Sequence, residues 1–111
     1  MLKIKERTMD KYVAAGASMR LLKEMGNKAL IDASAVLSAK EQDMFINCLN
    51  RIDLICSRAE DNMLEDHPDL GGEFSDVFYG GLDDTPRTDL DREVMARAKE
   101  TADGLFERKA D

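Results

Sequence analysis

The sequence predicts an all-α domain, a small elongated bundle of three to four helices with a long aromatic-containing segment before the last helix. Three observations support this class. Met, Ala, Leu, Lys, Glu and Arg, which favour helices, dominate the 111 residues. No proline and only two glycines precede residue 67, which permits long helices. Apolar residues recur at three- and four-residue spacing. The length corresponds to a single domain, residues 1–111.

The amino-terminal third predicts two helices. Thr8 is a suitable N-cap for a helix over residues 8–25, and Gly26-Asn27 is a typical stop signal. A short helix over residues 28–37 would follow. In the first helix only a narrow sector, which holds Arg20, is charged, so we expect this helix to pack on more than one side.

The helix predicted for residues 39–65 carries the strongest signals. Ser38 and Glu41 form the S-x-x-E pattern of a capping box, and Pro68 lies just beyond the end. A nearly continuous apolar stripe follows, made of Phe45, Cys48, Leu49, Ile52, Ile55, Cys56, Ala59 and Met63. Leu54, and less clearly Ile46, point away from this stripe, so we expect a subunit contact there.

The last predicted helix begins near Thr88 and runs to about Lys109. Its inward-facing residues would be Leu90, Val94, Ala98, Thr101, Ala102 and Leu105. We expect this helix and the one over 39–65 to lie antiparallel and to pack with the helix over 8–25.

A connector, residues 67–87, separates the last two helices and is too long for an ordinary helix–helix turn. Between its two glycine pairs lies an aromatic insert, residues 73–79, which contains Phe74, Phe78 and Tyr79. This composition is not typical of a solvated linker. The insert either folds back and closes one end of the bundle, which we favour, or forms a hinged segment that docks on another protein.

Charge is unevenly distributed. The chain holds 23 acidic and 16 basic residues, for a net charge of −7. Residues 1–30 hold seven basic and three acidic side chains, whereas residues 60–91 hold eleven acidic side chains and one basic, Arg87. Such a segment could bind a cationic surface, or it could be a solvated and self-repelling loop.

These features predict a non-enzymatic, acidic, helical interaction or regulatory protein that engages a basic protein partner. A more specific version is an inhibitor that occupies a nucleic-acid-binding site, and we also expect a homodimer. We predict no catalytic residue, metal or cofactor. The candidate partner-binding residues are Glu60, Asp61, Glu65, Asp66, Asp69, Glu73, Phe74, Asp76, Phe78, Tyr79, Asp83 and Asp84.

The compartment follows from the cysteines and hydropathy. On one helix Cys48 and Cys56 would lie about 12 Å apart, too far for a disulfide. No stretch of eighteen apolar residues predicts a membrane span. We therefore expect a cytoplasmic protein that does not associate with membranes.

The sequence is also compatible with two other functions. Carboxylates near Asp61 and Glu65 could hold Mg²⁺ in a metal-dependent all-α nucleotide hydrolase. The likeness to all-α nucleotide pyrophosphohydrolases is one of architecture only, since their Glu-x-x-Glu pattern is absent. The second alternative is a DNA-binding accessory protein with a helix-turn-helix at Gly26-Asn27, although direct nucleic-acid binding is not our expectation. His67 is expected to cap a helix and not to act as a catalytic base.

Overall fold

A computed structural model describes residues 6–82, 85–105 and 107, apart from the side chain of Glu73. Its helices are α1 (Met9–Ala33), α2 (Ala39–Asp66) and α3 (Asp89–Gly104), and a 3₁₀ helix (Gly72–Asp76) lies in the connector. The described residues contain no strand, which confirms the all-α class. The 28 residues of α2 span about 42 Å, so the bundle is elongated.

α1 runs without a break through Gly26-Asn27, so the predicted stop was wrong. Gly26 is explained by close packing between helices and not by a helix end. A Cβ atom on Gly26 would lie 2.6 Å from Cδ2 of Leu49 on α2. Gly26 therefore allows the two helices to approach closely, and α1 continues to Ala33.

The predicted N-caps are confirmed. The Thr8 Oγ1 accepts from the Lys11 amide at 3.3 Å. At the start of α2 the capping box is complete, because the Glu41 amide donates to Ser38 Oγ and the Ser38 amide donates to Glu41 Oε1. Thr88 caps α3. Local side-chain chemistry thus sets where each helix begins.

α3 is shorter than predicted. It ends at Gly104, and Leu105 and Thr101 are exposed, so their predicted inward placement was wrong. The end predicted near Lys109 lies outside the described residues.

α1, not the pair α2 and α3, is the centre of the bundle. It contacts both of the other helices, which scarcely touch each other, so the predicted packing of the last two helices was wrong. One core cluster joins α1 and α2 to the connector and consists of Tyr12, Cys56, Met63, Val77 and Phe78. A second joins α1 to α3 and consists of Val13, Ala17, Val94 and Ala98. The first cluster shows that the connector replaces a direct contact between α2 and α3.

The apolar stripe of α2 is only partly buried. Cys56 and Met63 are buried, but Cys48 and Ile55 are exposed, contrary to prediction. Ile46 and Leu54 are exposed as predicted. The connector packs near the carboxyl end of α2, so the rest of the helix has α1 as its main cover. None of the described helices has the length and hydrophobicity that a membrane crossing requires.

Candidate functional site

The aromatic insert folds into the bundle. Val77 and Phe78 are buried, the latter 1% exposed, and Phe74 and Tyr79 are half-buried. A Cβ atom on Gly16 of α1 would overlap the Val77 carbonyl oxygen and lie 2.7 Å from Val77 Cγ1. Phe78 therefore cannot contact a partner in this conformation, which corrects its placement in the predicted interaction surface.

Arg20 holds the connector against α1. The residue is 1% exposed, and its guanidinium donates to three backbone carbonyls of the connector. These bonds run from Nη1 to Asp76 at 2.9 Å, from Nε to Gly80 at 3.1 Å and from Nη2 to Gly81 at 2.5 Å. Nη1 also donates to Asp91 Oδ1 at 2.7 Å. Arg20 belongs to the narrow charged sector of α1, but the structure shows that it is a buried anchor of the fold.

Two acidic residues of the 60–91 segment serve this anchor. Asp76 is buried and accepts from Arg87 Nη2 at 2.5 Å and from Thr88 Oγ1 at 2.7 Å. Asp91 is buried and accepts from the Arg87 amide at 2.9 Å. Burial acts to raise the pKa of the Asp91 carboxyl, but the hydrogen bonds from Arg87 and Arg20 together hold it below its ordinary value. Asp76 is thus structural and does not belong to an outer surface.

Lys23 fixes the other end of the aromatic insert. Its Nζ donates to the Phe78 carbonyl at 2.8 Å and lies 4.4 Å from the centre of the Tyr79 ring. A weaker pair at 3.8 Å joins it to Asp53 on α2. Burial, followed by the charge of Glu60, raises the pKa of the Tyr79 hydroxyl. Lys23 therefore holds the half-buried Tyr79 between α1 and α2.

Asp66, in the last turn of α2, also pairs with residues inside the fold. Its carboxylate pairs with Arg7 at 2.8 Å and accepts a hydrogen bond from the Tyr12 hydroxyl. Burial first, and then Asp66, raise the pKa of Tyr12 to about 12. His67 is the C-cap of α2, as predicted, and its Nε2 lies 2.8 Å from the Arg7 carbonyl oxygen. These contacts tie the residues before α1 to the end of α2.

Three carboxylates near the end of α2 and in the following turn face solvent. Asp61, Glu65 and Asp69 are exposed, and we call these three residues the acidic end. Glu60 is half-buried, and its Oε2 is buried without a hydrogen-bond partner among the described residues. Burial, and next the charge of Asp61, raise the pKa of Glu60. Asp83, Asp84 and the Glu73 side chain lie outside the described part of the chain.

The arrangement gives no support to the two alternative functions. Within the described ranges no group of three or more His, Cys, Asp or Glu side chains is placed to hold a metal ion. The proposed helix-turn-helix was wrong because α1 is continuous. Much of the basic charge of the first third is also engaged internally, as Arg7, Arg20 and Lys23 show.

Sequence reasoning missed the anchor at Arg20. One signal was present, since a lone arginine in a helix that is apolar over most of its circumference is a candidate for burial with an acidic partner. Its partner, 71 positions away, has no local signature.

Comparisons with protein-family models, curated proteins and solved structures found no match to this chain.

Proposed function

We propose that this chain is a non-enzymatic helical interaction protein that binds a basic surface of a partner protein through the acidic end, Asp61, Glu65 and Asp69. The observation that supports this function is the division of the carboxylates. Asp66 and Asp76 are turned inward and paired with arginines, while the three residues of the acidic end are exposed. No ion pair joins those three to another described residue.

An exposed acidic end suits electrostatic recognition. The chain carries a net charge of −7, so its field favours approach by cationic surfaces. Exposed charges contribute mainly to the association rate and to partner choice, and salt screens them. The half-buried Glu60 adds a fourth carboxylate beside Asp61. Phe74 of the insert is half-buried and packs against the core cluster that contains Met63 of α2.

The test compares the wild type with two variants in their capture of basic proteins from a lysate of the organism that encodes the chain. A D61N/E65Q/D69N variant removes the charge of the acidic end. The control D43N/E100Q/D103N removes three other exposed carboxylates, so both variants have the same net charge. We expect the wild type and the control to capture the same protein and the first variant to lose it. Equal loss in both variants would show that net charge alone matters and would contradict the proposal.

The more specific version, inhibition at a nucleic-acid-binding site, has its own test. Once a partner is captured, duplex DNA is added as a competitor. Displacement of the chain by DNA supports occupation of a nucleic-acid site, and a ternary complex contradicts it. A cytoplasmic location belongs to the same proposal, because the Cys48 and Cys56 thiols are not bridged.

A further inference from the structure

One side of α1 carries an exposed stripe at coiled-coil spacing. The intervals alternate between four and three residues, which is the a/d pattern of a helix that packs against another helix. The exposed side chains include Leu22, 47% exposed, and Met25, 55% exposed. The stripe consists of Lys11, Ala15, Ser18, Leu22, Met25, Ala29 and Asp32; only Ala29 among these is half-buried, and the others are exposed.

α2 adds a second apolar row on the same side of the α1–α2 hairpin. The helices are antiparallel, since Lys23 pairs with Asp53 and Gly26 meets Leu49. Each residue of an α-helix is rotated by about 100° from the one before it. Viewed down the axis of α1, its stripe is therefore about a quarter turn from the residues that contact α2. Viewed down the axis of α2, the exposed row is about a third of a turn from the residues that contact α1. Because the helices are antiparallel, both rotations lead to the same side, which faces away from the connector. The carboxyl end of α3 borders this side at Thr101 and Leu105. The exposed apolar residues of the α2 row are Met44, Cys48 and Ile55, and the exposed Arg51 lies between the last two.

We propose that this side, the open face, binds a second copy of the same chain, with α1 packed antiparallel against α1 of the partner subunit. Charge complementarity selects this occupant. Lys11 and Asp32 lie at the two ends of the stripe, eleven and ten residues from Leu22. Asp32 also pairs with Lys28 of its own helix at 2.6 Å, but both side chains stay exposed, so the carboxylate remains accessible to a second cation. A two-fold axis near Leu22 places Lys11 of each copy level with Asp32 of the other, to within about 1.5 Å along the axis.

The same register matches side-chain sizes. It brings Met25 of one copy opposite Ser18 of the other, so a long side chain meets a short one on each side of the axis. Ser18, Leu22 and Met25 also border a groove of about 280 Å³ that reaches the exposed Leu105 and Thr101 of α3. That groove offers space for a partner's apolar side chain.

The open face has about the area that a dimer requires. It is about 32 Å long from Lys11 to Asp32 and about 20 Å wide across two helices. The outline is therefore roughly 640 Å² per copy, close to the roughly 800 Å² per partner of a standard interface. In this arrangement the two acidic ends lie at opposite ends of the dimer, where both remain accessible.

The experiment is sedimentation velocity on the full chain at about 5 to 500 µM, with circular dichroism to confirm that helix content is retained. We expect the wild type to dimerise and Leu22→Glu to raise the dimer dissociation constant at least about tenfold. Leu54→Glu is the matched control, since Leu54 is 53% exposed on the outer side of α2, away from the open face. It also tests the alternative that the subunit contact lies at Leu54, as the sequence alone suggested. A wild type that stays monomeric throughout, or dissociation by Leu54→Glu and not by Leu22→Glu, overturns the proposal.

A charge exchange tests the register. Lys11→Glu and Asp32→Lys should each weaken the dimer, and the double variant should restore it because the two ion pairs re-form with reversed sign. If the double variant does not recover the dimer affinity of the wild type, the antiparallel register is ruled out. The result is independent of the proposed function, since none of these positions belongs to the acidic end.

Discussion

The guanidinium of Arg20 on α1 lies 2.7 Å from the carboxylate of Asp91 in the first turn of α3, and both side chains are buried. This pair joins two helices that are remote in sequence. Because the same guanidinium also bonds three carbonyls of the connector, one side chain fixes both the position of α3 and the path of the segment that leads to it.

Replacement of Arg20 by Met should be strongly destabilising. The change removes the buried cationic partner of Asp91, whose remaining contact with a guanidinium is the 3.9 Å pair with Arg87, and leaves three carbonyls without their donor. We therefore expect a loss of about 3–5 kcal/mol in the free energy of unfolding. Urea denaturation followed by circular dichroism measures it. The control is Arg92→Met, whose exposed pair with Asp89 should contribute less than about 1 kcal/mol. Similar midpoints for the two variants would contradict the anchor role.

Asp91 should make the fold sensitive to acid. Its pKa is lowered in the folded state, so its contribution to stability is present above the unfolded value of about 3.9 and is lost as the pH falls through the folded value. We expect Asp91→Asn to be less stable at pH 7 and to lose less stability than the wild type on acidification below about pH 4. Urea midpoints across this range provide the test, and parallel curves would refute the assignment.

Ionisation of Tyr12 should lower the stability of the fold at alkaline pH. Its pKa of about 12 lies above the value of about 10 for an unfolded tyrosine, so the stability that it provides is complete below about pH 10 and is lost as the pH rises toward 12. Absorbance at the tyrosinate band should show a transition near pH 12 that Tyr12→Phe removes. If the Tyr12→Phe variant still shows that transition, the transition does not come from Tyr12 and the prediction is wrong.

Gly16 should not tolerate a side chain. Alanine favours a helix by about 1 kcal/mol over glycine, yet a Cβ atom at this position overlaps Val77. Because overpacking typically costs about 1–3 kcal/mol, we expect Gly16→Ala to lower stability and to increase cleavage of the aromatic insert in limited proteolysis. Gly72→Ala, where a Cβ atom meets nothing within 4 Å, is the control. Unchanged protease resistance in Gly16→Ala would show that the insert does not depend on this contact.

The sequence predicted local structure well because the decisive interactions are local. Thr8, Ser38 and Thr88 each cap a helix through an amide three positions further along, which a pattern search detects. Gly26 misled the same reasoning, since the residue that explains it, Leu49, belongs to another helix. Which helices pack against each other depends on such long-range contacts, so the spacing of residues in the sequence could not predict it.

The candidate site shows the same limit. Composition located an acidic segment but could not separate carboxylates that pair internally from those that face solvent. Asp66 and Asp76 were indistinguishable from Asp61 in the sequence, because their partners Arg7 and Arg87 are defined by the fold. Exposure, which only the structure provides, reduces the predicted interaction surface to the acidic end and its immediate neighbours.

The most direct test of the proposed function is the salt dependence of binding to the captured partner. Isothermal titration calorimetry would compare wild type and D61N/E65Q/D69N at about 50 mM and about 500 mM NaCl, where the Debye length falls from about 14 Å to about 4 Å. We predict that affinity of the wild type falls steeply with salt, and that the variant binds weakly at both concentrations. Wild-type affinity that does not change between the two salt concentrations would contradict recognition through the acidic end.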